Sequence, residues 1–378
     1  MADDYASLDI INYAPNRKDA QNIIDVVMRT VDDFTAKWVK TYDELDDMFL
    51  RRAFDIAGFQ SYQFLDYGLK KHKMDDINKI GLIFEELEKN GAEYTKKFPK
   101  GKRQKRMLFG DNRNITEGTY QFIKDLKNGR GGIYGKKYYK AIEDFMQYAE
   151  YRKGRKIKSG KGVMVWKILW AYCYNCRYLR NRYAGSFKRM VEEKAAEWLE
   201  EKGYASKSFP NIDLSREEWE NLAIHIVKKI GQELYCIGEE LACYILGDIK
   251  EFFKAGNVLF KLDSSNVNFI KKTGLIFLPY KEGVKTIEEL KKEWNSTGKK
   301  RKELYKSIIN LANPDPKTFS VRMINRNIYA YNSEEESYRF GYCRNDKDCE
   351  RCKAKNYCLS GRLGVNYVLE KLKELGFN

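Results

Sequence analysis

The sequence is poor in histidine and proline and has no long apolar run. Only His72 and His225 occur among its 378 residues, which excludes mechanisms that need several histidines. Six prolines favour helices over a turn-rich all-β fold. No apolar run reaches the roughly 18 residues of a membrane span, and the acidic start Met1–Asp4 lacks the pattern of a secretion leader. We therefore expect a mainly α protein with no membrane partner, in the cytoplasm of a bacterial, archaeal or phage-infected cell.

The composition indicates a folded protein with a polyanionic partner. Hydrophobic residues make up 43% and aromatic residues 14% of the chain, enough for a large buried core. Lysine and arginine total 70 against 54 aspartates and glutamates, a formal net charge of +16. A surplus of this size favours nucleic acid. We predict double-stranded DNA as the partner, and nothing in the sequence points to a protein partner.

Two glycine-containing basic runs, at 96–106 and 152–161, indicate linkers or phosphate-contacting loops. They lead us to expect four segments: a helical N-terminal extension (1–100), a basic connecting region (101–160), a main domain (161–335) and a C-terminal module (336–378). A third glycine-rich stretch, Gly129–Lys136, does not fit a nucleotide-binding P-loop, since Arg130 stands where that motif needs glycine and Lys137 where it needs serine or threonine. We interpret it as a flexible basic turn.

Half of the eight cysteines lie close together near the C-terminus, with the spacing Cys-x5-Cys-x2-Cys-x5-Cys. Without an export signal, thiols or metal ligands are more plausible than disulfides. Four sulfur ligands in one short loop suit a [4Fe-4S] cluster; zinc, which usually takes two separated Cys-x2-Cys pairs, and a metal-free loop are the alternatives. The predicted ligands are Cys343, Cys349, Cys352 and Cys358. Basic residues of the same loop, Arg344, Lys347 and Arg351, could lie on a phosphate backbone. Elsewhere, Cys173 and Cys176 are expected to be buried free cysteines in a helix.

The cysteine run resembles the iron–sulfur loop of the endonuclease III family of DNA glycosylases. The family usually has six residues in the first arm, then two, then five, so this chain is one residue short in the first arm. RecB-like nucleases share the last three cysteines, but they take their first cysteine from a distant upstream position, whereas Cys343 is local.

A segment upstream is similar to the helix-hairpin-helix of the same family. Ser215 and Glu218 have the form of a capping box at the start of a first helix, which Gly231 can end. The hairpin pattern is matched at Leu234, Ile237, Gly238 and Ala242, whereas Tyr235 and Cys236 replace the family's proline and glycine. Gly238 is expected to permit a tight turn, so that main-chain amides at the second helix point at a DNA phosphate. The predicted DNA-binding residues of the hairpin are Tyr235, Cys236, Ile237 and Gly238.

The segment that begins at Asp263 resembles the one that carries the family's catalytic aspartate at a helix N-terminus. The resemblance implies that the Asp263 carboxylate stabilises an oxocarbenium-like sugar or orients a water; the alternative is that it only caps its helix. Glu240 takes the position at which bifunctional members carry a Schiff-base lysine, and a carboxylate cannot form an imine. Asp263 and Glu240 are therefore the candidate catalytic residues of an enzyme that is not a lysine-dependent lyase.

The resemblance covers roughly residues 215–360 and implies a glycosylase-like helical barrel followed by a C-terminal iron–sulfur module. The first functional expectation is a monofunctional DNA N-glycosylase that flips out its target nucleotide. The alternative is a relative of the phage DNA-hypermodification proteins, a transferase that joins an amino acid or amine to an activated thymine. The third is a non-catalytic iron–sulfur DNA-binding protein.

Overall fold

The computed structural model describes residues 9–31, 39–56, 59–92, 121–153, 159–204, 209–296, 298–333, 340–343 and 346–377. It is mainly helical, which confirms the predicted fold class. The basic run at 96–106 lies outside the described residues, and of the run at 152–161 only the main chain of two helix ends is described. None of the described helices is both long and apolar enough to cross a membrane.

The α-helices follow one another through the chain with short 3-10 and π segments between some of them. They are α1 (Arg17–Thr30), α2 (Leu45–Arg52), α3 (Ser61–Phe64), α4 (Ile77–Lys89), α5 (Gly132–Lys153), α6 (Ser159–Tyr183), α7 (Phe187–Glu201), α8 (Arg216–Glu233), α9 (Glu239–Leu246), α10 (Ser264–Thr273), α11 (Leu278–Lys281), α12 (Ile287–Trp294), α13 (Lys299–Ala312), α14 (Val321–Asn332), α15 (Asp346–Glu350), α16 (Leu359–Leu363) and α17 (Val365–Glu374). A two-residue antiparallel pair, β1 (Asp55–Ile56) and β2 (Phe59–Gln60), lies between α2 and α3, with Ile56 opposite Phe59.

Local capping determines where several of these helices begin. The capping box predicted at the start of α8 is present: the amide of Glu218 donates to the Ser215 hydroxyl, and the Glu218 carboxylate accepts from the Ser215 amide at 2.8 Å. Gly231, however, does not end this helix, which continues to Glu233. The predicted turn at Gly129–Lys136 is also shorter than expected. α5 already begins at Gly132, where glycines without side chains pack closely on Leu126.

The described residues form two compact units, which group the chain differently from the four expected segments. The central unit is Lys40–Ala255, and the split unit joins Met1–Val39 with Gly256–Asn378. The N-terminal helix α1 thus belongs with the C-terminal helices and packs on α13 and α14. Arg362 strengthens this connection, because its guanidinium donates to the carbonyl of Tyr13 and to the carboxylate of Asp19, both at 2.8 Å.

In the central unit, α4 lies along α6 over an aromatic core. Gly81 permits the close approach, because a Cβ there would be 2.9 Å from the carbonyl oxygen of Cys176. Cys173 and Cys176 are buried and free, as predicted, and the Cys173 thiol donates to the carbonyl of Ile80. Tyr138 is also buried and donates its hydroxyl proton to the carbonyl of Leu169. These residues of α4, α5 and α6 therefore have structural roles.

Candidate functional site

The predicted hairpin is present in the central unit as a short turn between α8 and α9. Its left-handed residue is Cys236, with φ +57°, the position where the resembled family has glycine. Gly238 is the N-cap of α9 with φ −84° and ψ 177°, an ordinary extended conformation. The expectation that Gly238 makes the tight turn is therefore wrong: Cys236 makes it.

Two of the predicted DNA-binding side chains are turned into the protein. Tyr235 is 8% and Ile237 2% exposed, so these residues could meet a ligand only through their main chain. The Tyr235 ring lies edge-on to Tyr174, with centroids 4.8 Å apart, and to Trp170 at 6.0 Å. The exposed part of the hairpin begins at Gly238.

The first turn of α9 is acidic and exposed. Glu239 and Glu240 occupy its first two positions, where negative charge is favourable to the helix dipole. The same two charges would oppose a phosphate at this helix end. Glu240, at the position of the family's Schiff-base lysine, is exposed as well. Whether Glu240 takes part in chemistry stays a prediction.

Asp263 lies in the split unit and is the N-cap of α10, as predicted. Its Oδ1 accepts a hydrogen bond from the amide of Asn266 at 2.9 Å, and the residue is half-buried. The buried Asn266 side chain donates to the main-chain oxygen of Asn325 at 2.7 Å, and the amides of both asparagines contact the Tyr305 hydroxyl. Burial raises the pKa of Tyr305 well above its ordinary value, and the Asp263 carboxylate adds to the shift.

Sequence reasoning missed the polar residues of α14 that surround this network. Arg322, Asn325 and Arg326 are all buried, and the Arg322 guanidinium donates to Asn325 Oδ1 at 3.4 Å. Asn332, near the end of the helix, donates to the carbonyl of Ser265 at 2.7 Å. The signal was available, because residues 322, 325 and 326 are spaced i, i+3, i+4 and so share one helix face. A helix that buries guanidinium and amide groups on one face, next to a candidate aspartate, is a site feature.

The four C-terminal cysteines are buried in the split unit and form two hydrogen-bonded pairs. The thiol of Cys343 pairs with Cys352, and that of Cys358 pairs with Cys349. The hydrogen bond from Cys343, with those from Tyr331 and two main-chain amides, lowers the pKa of Cys352 to about 6 although burial opposes it. In each pair the donor is affected oppositely, because its hydrogen bond and burial raise the pKa of Cys343 and of Cys358.

The predicted metal site is supported by its donor chemistry alone. Among the residues that the structure describes, no group of three or more histidine, cysteine, aspartate or glutamate side chains is arranged to hold a metal ion. The donor set itself fits a thiolate-ligated metal, since it offers four buried sulfurs and main-chain N–H groups such as that of Gly361, 3.3 Å from Cys358 Sγ. The [4Fe-4S] cluster therefore stays a prediction, with zinc as its alternative.

The helix that begins at Asp263 ends against the cysteine segment. Near its end, the Lys272 ammonium donates to the carbonyl oxygen of Cys343 at 2.5 Å, and the carbonyl of Lys272 accepts from the Ser360 hydroxyl at 2.6 Å. Gly274, with φ +77°, follows the helix, and a Cβ there would be 2.7 Å from the side chain of Leu359. One ten-residue helix thus joins the candidate aspartate to the predicted metal ligands.

Of the basic residues predicted to contact DNA from the cysteine loop, only Arg351 can be placed. Arg344 and the side chain of Lys347 lie outside the described residues. The Arg351 guanidinium is 3.4 Å from the Asp348 carboxylate and lies over the Tyr342 ring at 5.3 Å. Arg351 is therefore partly neutralised.

The predicted site residues are divided between the two units. Asp263, the cysteines and Arg351 belong to the split unit, whereas the hairpin and Glu240 belong to the central unit. Compared with known proteins, the chain matches no family model, no curated protein and no solved structure.

Proposed function

We propose that this protein is a DNA base-processing enzyme that acts on a nucleotide flipped out of the duplex, and that its reaction is hydrolysis of the N-glycosidic bond. The observation that carries the proposal is the half-buried Asp263 carboxylate, which the Asn266 amide holds at the start of a helix that ends on four buried cysteines. A helix N-terminus stabilises the ionised form of such a carboxylate.

The chemistry requires only an anion beside the sugar and a water. The bond between C1′ and the base breaks with its electron pair leaving on the base, which takes up a proton. A water oxygen bonds to C1′, and the Asp263 carboxylate stabilises the positive sugar or accepts the proton that the water loses. The buried polar face of α14 would keep this aspartate in place.

Glu240 determines which reaction of the resembled family is open to this chain. A carboxylate cannot attack C1′ to give an imine, so strand cleavage through a Schiff base is not expected. The reaction would end with a free base and an abasic site. The phage-type transferase, which would leave an added amine on the base, is the competing outcome in the same experiment.

DNA would be bound mainly through its backbone. The formal charge of +16 favours a polyanion, and the helix–turn–helix at 216–246 resembles a hairpin that contacts a phosphate without reading sequence. Because such binding releases counterions, affinity should fall steeply with salt.

The test is release of free base from duplexes that carry damaged or modified bases, with Asp263→Asn as the decisive variant. Asparagine caps a helix about as well as aspartate, so the fold is kept while the charge is lost. We expect a fall in base release of roughly 100-fold or more. The matched control is Asp315→Asn in the same unit, because Asp315 also accepts main-chain N–H bonds.

Other results would redirect the proposal. Base release that survives Asp263→Asn would remove the role of this residue. Transfer of a labelled amino acid to DNA that contains an activated thymine, without base release, would identify the transferase. Salt-sensitive DNA binding with neither activity would leave a binding protein.

A further inference from the structure

A buried asparagine holds the main chain of the hairpin on both of its hydrogen-bonding groups. The side chain of Asn175, in the middle of α6, accepts from the amide of Tyr235 at 2.8 Å and donates to the carbonyl of the same residue at 2.8 Å. Asn175 is 2% exposed and lies 60 residues before its partner. It therefore replaces the pairing that a neighbouring strand would give to Tyr235.

The residue held in this way is next to the one with the unusual backbone. Cys236 has φ +57°, a conformation that residues other than glycine, asparagine and aspartate seldom adopt. Two hydrogen bonds to Tyr235 limit the rotation of the peptide groups on either side of that residue, including the one that leads into Cys236. The turn is thus specified by a contact far away in sequence, in a chain that lacks the family's glycine.

The packing around the turn agrees with this role. Gly231 lets α8 approach the start of α9, because a Cβ at 231 would be 3.3 Å from the amide nitrogen of Glu239. At the end of α8, the Glu233 carboxylate contacts the Lys194 ammonium at 2.9 Å and the Tyr178 hydroxyl at 2.7 Å. The helix before the turn is therefore fixed as well.

We propose that Asn175 is a positioning residue for nucleic-acid binding: it holds the turn 235–238 in the one conformation in which the hairpin meets a DNA phosphate. The inference rests on the proposed DNA-binding function. A turn that is already ordered loses less conformational freedom on binding, so its affinity is higher than that of a mobile turn.

The experiment combines two substitutions. Asn175→Leu keeps the size of the side chain and removes both hydrogen bonds, and Cys236→Gly lets the turn reach positive φ without strain. Using the full chain and a short duplex, we expect Asn175→Leu to weaken binding about tenfold and the double variant to regain most of the loss. Cys176→Ala, a buried substitution in the same helix, is the matched control and should leave affinity unchanged at equal folded fraction.

Amide hydrogen exchange of the turn gives a readout that does not depend on DNA. Exchange at residues 235–238 should become faster in Asn175→Leu and slower again in the double variant. Unchanged exchange, or equal loss of affinity in Asn175→Leu and Cys176→Ala, would overturn the positioning role. Absence of DNA binding by the unaltered protein, with faster exchange in Asn175→Leu, would instead overturn the proposed function and leave Asn175 as a purely structural residue.

Discussion

The ammonium of Lys272 and the main-chain oxygen of Cys343 are 2.5 Å apart, and both are buried in the split unit. Lys272 belongs to the helix that Asp263 opens, and Cys343 is the first of the four C-terminal cysteines. Any displacement of that cysteine would therefore be felt by the helix of the candidate aspartate. The link is made by a charged group, whose hydrogen bonds are stronger than those between neutral partners.

Replacing Lys272 should cost stability, whereas replacing its neighbour should not. Lys272→Met removes the hydrogen bond to the Cys343 carbonyl, and we expect the free energy of unfolding to fall by about 1.5–3 kcal/mol. Burial, with a smaller effect of Arg301, lowers the pKa of Lys271 below its ordinary value, so Lys271→Met should leave stability unchanged or raise it. Urea unfolding at neutral pH compares the two variants. Equal losses would show that the bond to Cys343 is unimportant.

Protein purified without oxygen should contain iron and acid-labile sulfide in equal amounts and absorb visible light. Cys352→Ser removes one of the four predicted sulfur ligands and should abolish the absorption together with the iron. Cys243→Ala, at a buried cysteine of the central unit, should retain both. Zinc without sulfide would select the alternative metal, and a preparation free of either would refute the metal prediction.

The ion pairs at the end of α8 should make stability depend on pH. Burial tends to raise the pKa of Glu233, but hydrogen bonds from Tyr178 and Lys194 hold it below its ordinary value of 4.5. The ionised carboxylate therefore stabilises the fold above about pH 4.5, and this contribution disappears as the pH falls through the lowered pKa. Glu233→Gln should be less stable than the unaltered chain at pH 7 and equally stable near pH 3. A constant difference across this range would contradict the assignment, and Glu217→Gln, on an exposed glutamate of the same helix, serves as the control.

Removing negative charge from the tip of the hairpin should strengthen DNA binding. Glu240 is exposed at the start of α9, and a unit charge about 4 Å from a phosphate costs about 1 kcal/mol in water. We expect Glu240→Gln to raise affinity roughly fivefold at low salt, measured by fluorescence anisotropy. The exposed Glu201, also in the central unit, provides the control Glu201→Gln. If both variants bind DNA like the unaltered protein, the phosphate contact lies elsewhere.

Features that depend on neighbouring residues were predictable from the sequence. The capping box of Ser215 and Glu218 and the N-cap at Asp263 each need only a side chain and an amide three residues later. The helical class follows from periodicity and from the few prolines in the same way. These interactions form within one turn of chain, so the sequence pattern contains all that determines them.

Features that depend on distant partners were not predictable. Nothing local marks Cys236 as the left-handed residue of the hairpin, because the contacts that favour it come from Asn175, on another helix. The buried face of α14 was missed because arginine and asparagine usually indicate a solvent-exposed surface. The pairing of α1 with α13 and α14 joins opposite ends of the chain, which no periodicity reveals.

The split unit also determines an order of events during synthesis on the ribosome. α1 emerges early, but the helices on which it packs are translated only after residue 298. The central unit, Lys40–Ala255, is complete before them and can fold first, since domains generally fold as units during translation. Until the last helices appear, the apolar side of α1 is left without its native cover and is a natural binding site for a chaperone.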